Sequence, residues 1–97
     1  KSWDTACPLG PWITVGSSFD PDNAQITLRI NGEERGSGST SQMGYSIAQI
    51  VSYVSGIFTL LPGDVILTGT PAGGRLNSGE RVEVEIEGIG SLTNLAM

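Results

Sequence analysis

Histidine is absent from this 97-residue chain. Its absence removes Ser-His-Asp and Cys-His nucleophile schemes, and imidazole metal sites, from anything these residues do by themselves. Cysteine occurs once, at Cys7, which excludes an internal disulfide framework and a thiolate zinc cluster. Beside Pro8 and with no basic neighbour, Cys7 reads as a small buried residue and not as a nucleophile. A reducing, cytoplasmic setting fits a single thiol best. Charge is also scarce: five basic and ten acidic residues make 15% of the chain, where a soluble domain carries roughly a quarter. So little charge implies that part of the surface is covered by something else. The net charge is −5, and Lys1, Arg29, Arg35, Arg75 and Arg81 are scattered. With no basic cluster to displace counterions, nucleic acid and anionic membrane are excluded as partners. No apolar run approaches the roughly 20 residues of a membrane-spanning helix, and no signal peptide is visible. The chain opens on Lys1 and not on Met, so its natural start is expected to be missing or processed away. Its length suits one small domain with one core.

The first dozen residues, K-S-W-D-T-A-C-P-L-G-P-W, mix aromatic residues with proline and glycine and predict a fixed loop. A short strand is expected over 12–15, followed by turn chemistry over 16–23. From Ala24 to Ile30 apolar and polar residues alternate strictly, the mark of a strand with one buried face. Asn31-Gly32 follows, a strong two-residue hairpin signal because both residues accept positive φ. The return strand should run over about 33–35 before dissolving into Gly-Ser repeats. A helix is expected over about 46–57, opened by a Ser46/Gln49 capping box, with an apolar stripe from Ile47 to Phe58. A buried strand over 65–67 should deliver the chain to T-G-T-P-A-G-G. Val82, Val84 and Ile86 then alternate with Arg81, Glu83, Glu85 and Glu87 in the cleanest strand, and a hairpin-like pair closes the chain. One helix among five or six mostly antiparallel strands predicts an α+β fold.

Three groups could carry chemistry. Lys1, beside an apolar loop, could hold a substrate carboxylate or enolate oxygen, or could be a solvated terminal lysine. The turn from Thr68 to Gly74 could present backbone N–H groups and the Thr70 hydroxyl to an anion, or could be an ordinary tight turn. It is not a Walker-type phosphate loop, since no Gly-Lys-Ser/Thr follows. Glu83, Glu85 and Glu87 share a strand face, as three ligands of a hard cation would; a solvated face opposite an apolar stripe explains them as well.

Five segments recur in one order: K-S-W-D-T-A-C-P-L-G-P-W, N-G-E, S-T-S-Q-M, P-G-D-V-I-L-T-G-T-P-A-G and V-E-V-E-I-E-G-I-G. Together they resemble the fumarylacetoacetate hydrolase family over essentially the whole chain. The family includes acylpyruvate and fumarylpyruvate hydrolases, isomerases and decarboxylases of aromatic-compound breakdown, and oxaloacetate-directed members. The resemblance implies a mixed β-sheet roll or sandwich, commonly a homodimer, of which residues 1–97 form the C-terminal part of one catalytic domain. It implies Mg²⁺, or Mn²⁺ or Ca²⁺, held by a Glu-x-Glu pair and an Asp upstream of K-S-W-D-T, so no metal ligand is expected within this chain. The chain alone is then expected to be inactive. Lys1 matches the family lysine that contacts substrate oxygens, and Thr70, with Gly69 beside it, matches the threonine that binds the substrate's carboxylate end. The substrate implied is a small 2-oxo or 2,4-dioxo carboxylate, and the alternative is a binding or structural domain that kept the scaffold. Ser39-Thr40-Ser41 stands where Asn-Thr-Ser is usual, Gly44 replaces a bulky apolar residue, and the 73–79 loop is short.

Overall fold

The computed structural model describes residues 3–16 and 18–97. Its frame is a four-stranded antiparallel sheet in the order β2-β1-β3-β4, with strands Gln25–Ile30, Glu33–Ser39, Arg81–Ile86 and Gly90–Leu95. One helix, α1 at Ile47–Ser55, lies in the long crossing between β2 and β3. The fold is α+β, as expected, but its strands number four among the described residues.

Two local signals act as read. Asn31 and Gly32 take φ of 52° and 84°, so the β1–β2 hairpin turns where both residues adopt left-handed conformations. Asn31 also clips this hairpin to the start of β3: its amide donates to the Arg81 carbonyl at 2.8 Å, and its Oδ1 accepts from the Arg81 amide at 2.9 Å. Ser46 caps α1 by accepting from the Gln49 amide at 3.2 Å, while the Gln49 side chain accepts from the Ser46 amide at 2.9 Å. Asp22 adds a third tie, accepting from the Ile47 amide at 2.7 Å. It thereby satisfies one of the donors that a helix start leaves unpaired. The helix ends at Ser55, two residues earlier than expected, with Gly56 as its C-cap.

In the sheet, register sets Ile26, Leu28 and Ile30 opposite Ile86, Val84 and Val82, so the stripes of β1 and β3 share one face. The other face is held by charge. Arg29 lies directly opposite Glu83, and its Nη1 donates to Glu83 at 2.8 Å and to Glu85 at 2.6 Å. The hydrogen bond to Glu85, and then that to Glu83, raises the Arg29 pKa further above its ordinary value.

Three strand expectations need correction. Residues 12–15 form no strand; Ile13 and Val15 are 87% and 83% exposed, and none of the described residues offers a ladder there. A side chain anchors that segment instead: Trp12 Nε1 donates to the Ile89 carbonyl at 2.9 Å, and its ring lies over Gly90. Residues 65–67 are likewise unpaired, with Val65 and Leu67 exposed. In the other direction, β2 runs to Ser39, beyond its expected end near 35. A ladder needs backbone partners and not side chains, and Gln25 to Leu28 supply them.

Only Ala24 and Ile30 are buried apolar residues among those described. No residue of α1 is buried, and Tyr53, Ile57, Phe58 and Leu61 are exposed. The accessible surface is 7395 Å², whereas a self-contained globule of 10.1 kDa would expose about 5,300 Å². The radius of gyration, 14.4 Å, likewise exceeds the roughly 12.5 Å of a compact chain this long. An open, one-sided sheet with an uncovered helix accounts for both.

Candidate functional site

The turn expected to meet an anion lies against the sheet at its β2 edge. Thr68, Gly69, Thr70 and Pro71 form one wall of a cleft of about 600 Å³. The opposite wall comes from the end of β2 and the chain after it: Ser39, Thr40, Gln42 and Tyr45, with Ile26 and Ile50 among the apolar lining. Gly69 has a φ of 102°, which L side chains rarely adopt and glycine adopts freely. Among the described residues neither the Gly69 nor the Thr70 amide donates to a protein acceptor. Both residues are exposed.

The Thr70 hydroxyl is engaged. It donates to the Ala72 carbonyl at 2.5 Å and faces the Ala72 amide at 3.4 Å. To serve an incoming carboxylate it must exchange that neutral acceptor for a charged one.

Ser39 and Gln42 were not singled out from sequence as cleft residues, though the signal was present. Ser39-Thr40-Ser41-Gln42 is a second capping box, opening the single 3-10 turn Thr40–Gln42. Ser39 Oγ accepts from the Ser41 amide at 3.2 Å, and Gln42 Oε1 accepts from the Ser39 amide at 2.9 Å. Thr40 joins this turn to the sheet, its Oγ1 accepting from the Ala24 amide at 2.8 Å. Ser39, Thr40 and Gln42 therefore each have a structural tie that fixes where their polar atoms lie.

The lining has a distinctive chemistry. Among the described residues it offers hydroxyls from Ser37, Ser39, Thr40, Tyr45, Thr68 and Thr70, and none of those residues that line it is charged. Such a surface can orient an anion by hydrogen bonding, but it cannot neutralise one. Lys1, the sequence's candidate for that charge, lies outside the described residues. The acidic strand offers no substitute. Glu83 and Glu85 are committed to Arg29 across the sheet, and no group of three or more potential ligands converges among the described residues. The residues present therefore do not fit a divalent cation. Cys7 is half-buried and free. Among the described residues, no helix is long and apolar enough to cross a membrane.

Residues 1–95 match the family described as Fumarylacetoacetate (FAA) hydrolase C-terminal. A curated relative, Protein Rv2993c of Mycobacterium tuberculosis, is 49% identical over 96 residues, covering 97% of this chain and 36% of the relative. Among solved structures, 2-hydroxyhepta-2,4-diene-1,7-dioate isomerase from Mycobacterium marinum superposes with a TM-score of 0.90 at 45% identity, covering 98% of this chain and 37% of that one. Maleylpyruvate hydrolase from Sphingobium sp. SYK-6, in complex with manganese(II) and pyruvate, gives a TM-score of 0.90 at 34% identity, again over 98% and 37%. The chain thus spans a little over a third of the length of these relatives.

Proposed function

The chain belongs to the fumarylacetoacetate hydrolase family, and from that premise we propose that its protein acts on a small 2-oxo or 2,4-dioxo carboxylate. The reaction is C–C bond hydrolysis of an acylpyruvate, or isomerisation or decarboxylation of a related intermediate of aromatic-compound breakdown. The observation that carries this reading is the hydroxyl-rich cleft, uncharged among the described residues, that Thr68–Pro71 and the Ser39–Gln42 turn line together. Family relatives named as an isomerase and as a hydrolase share the fold at high similarity, one of them solved with manganese and pyruvate.

In this reading Thr70 donates its hydroxyl to the substrate carboxylate, and the Gly69 and Thr70 amides, unpaired among the described residues, add further donors. The apolar contribution of Ile26 and Ile50 lowers the local polarity and strengthens those bonds. Lys1 would supply the positive charge that the cleft wall lacks, holding an enolate oxygen. A divalent cation, Mg²⁺ or Mn²⁺ or Ca²⁺, belongs to the reading through the manganese-bound relative. Its ligands would lie outside this chain, since the residues here do not fit it. The family resemblance and the uncovered apolar surface support a homodimer, and the single unpaired Cys7 supports a cytoplasmic location.

The test is direct. The intact protein, with Mn²⁺ or Mg²⁺, is presented with acylpyruvates and with the enol form of oxaloacetate, and consumption is followed optically. Turnover of one class, weakened by Thr70→Val, is expected. Absence of turnover on all of them, with no calorimetric binding of pyruvate, would overturn the proposal.

A further inference from the structure

Strand β2 carries glycine at positions 36 and 38, and neither residue has a positive φ. Backbone conformation therefore does not call for glycine at either place. The register shift in the β1–β2 pair falls between Leu28 and Arg29, leaving Arg35 as the extra residue. That irregularity gives no reason for glycine at 38. Glycine inside a strand weakens it unless another segment must come close.

Another segment does. A Cβ built at 36 would lie 2.5 Å from the Ala72 Cβ, and one built at 38 would lie 2.6 Å from the Pro71 Cβ. Carbon atoms in contact sit about 3.5–4.0 Å apart, so neither position can hold a side chain while residues 71–72 stay where they are. Positions 36 and 38 share one face of the strand, and on that face lies the segment immediately following Thr70. The Thr70 hydroxyl is bonded to the backbone of Ala72, so the location of Ala72 is passed on to Thr70. Gly38 also has Gln42 Oε1 3.0 Å from its would-be Cβ, so both walls of the cleft meet there.

We propose that Gly36 and Gly38 are positioning residues: their missing side chains form a seat in β2 that receives Ala72 and Pro71 and sets the height of Thr70 over the cleft. The seat deepens the function proposed above, and its link to substrate rests on that reading. A methyl group at 36 must push the turn outward by roughly 1 Å to reach ordinary contact distance. Displacements of that size at a binding group cost up to about a hundredfold in catalytic efficiency.

The seat makes a reciprocal demand that a merely structural glycine does not. The first atom to clash with a Cβ at 36 is the Ala72 Cβ, and the next is the Ala72 Cα at 3.7 Å, an ordinary contact. Moving the methyl group from one side to the other should therefore restore the fit. In the intact protein with Mn²⁺, Gly36→Ala, Ala72→Gly and the double variant would be compared by hydrogen exchange of peptides covering 66–76 and by calorimetric affinity for pyruvate. Gly36→Ala should speed exchange in those peptides alone and weaken pyruvate at least tenfold. The double variant should return both to within about threefold of the parent, since ordinary close packing is regained. If Gly36→Ala does not fold but the double variant does, the rescue itself supports the seat. Unchanged exchange and affinity in Gly36→Ala, or a double variant that recovers neither or fails to fold, would overturn it. Thr70→Val separates this from the functional reading. If exchange follows the expected pattern while pyruvate affinity ignores both Gly36→Ala and Thr70→Val, the seat stands and the carboxylate role of Thr70 falls.

Discussion

Replacing Thr70 by valine keeps the branched shape and removes the donor. Its effect divides into two opposing parts. A hydrogen bond to a charged carboxylate contributes about 1.5–3 kcal/mol, and a neutral one about 0.5–1.5 kcal/mol. The unliganded Thr70 hydroxyl already donates to the Ala72 carbonyl, so binding exchanges the second kind of bond for the first. The net loss in the variant is then about 1–2 kcal/mol, or roughly five- to thirtyfold in kcat/KM. That is less than a hydroxyl initially facing water and newly aimed at a carboxylate would suggest. The same hydroxyl holds the turn, so Thr70→Val should also cost up to about 1 kcal/mol of stability, mostly local. Thr70→Ser retains the donor and should recover most of the activity. Steady-state kinetics of the intact enzyme, beside denaturant titrations of the same preparations, measure both parts. A valine variant with unchanged kcat/KM and a sharply lowered unfolding midpoint would make Thr70 a turn residue only. A serine variant as impaired as valine would show that shape, not donation, mattered.

Four further outcomes are expected. Asn31→Ala gives up both the preference for positive φ and the bond from the Arg81 amide, and should lower stability by about 1.5–2.5 kcal/mol in urea titrations. Ser46→Ala removes one half of the α1 capping box and should cost about 1 kcal/mol, with loss of helical circular dichroism if α1 frays. Glu80 accepts from the Asn77 amide at 2.8 Å, and this bond, followed by the one from the Asn77 side chain, lowers its pKa below the ordinary carboxylate value. Its stabilising contribution is therefore complete above the ordinary value and is lost as pH falls through the lowered one, so Glu80→Gln should flatten the acid limb of a stability–pH curve. Finally, residues 1–97 by themselves should bind Mg²⁺ no more tightly than millimolar in calorimetry, because Glu83 and Glu85 are held by Arg29. Tight stoichiometric binding would revive the acidic strand as a metal site.

What the sequence determined was local. Alternation over 24–30 and 81–87, the Asn31-Gly32 turn and the Ser46/Gln49 box each act through neighbours along the chain, and each stands where it was read. The ordered motifs were specific enough to indicate the family before any contact was visible. Only tertiary structure could decide the rest. Val65 and Leu67 look like strand residues, but a strand exists only with a partner, and none of the described residues provides one. The Gly-Ser stretch after Arg35 reads as loop, yet β1 supplies backbone partners for it and Pro71 and Ala72 require its missing side chains. The glutamates of β3 could have faced a cation. Register instead put Arg29 across from Glu83 and within reach of Glu85. The Thr70 hydroxyl is a possible donor to an anion in the sequence, but its partner, the Ala72 carbonyl, comes within reach only once the turn closes. In each case the sequence names a group's capacity to pair, and the pairing is decided by which segments the fold brings within about 3 Å of one another.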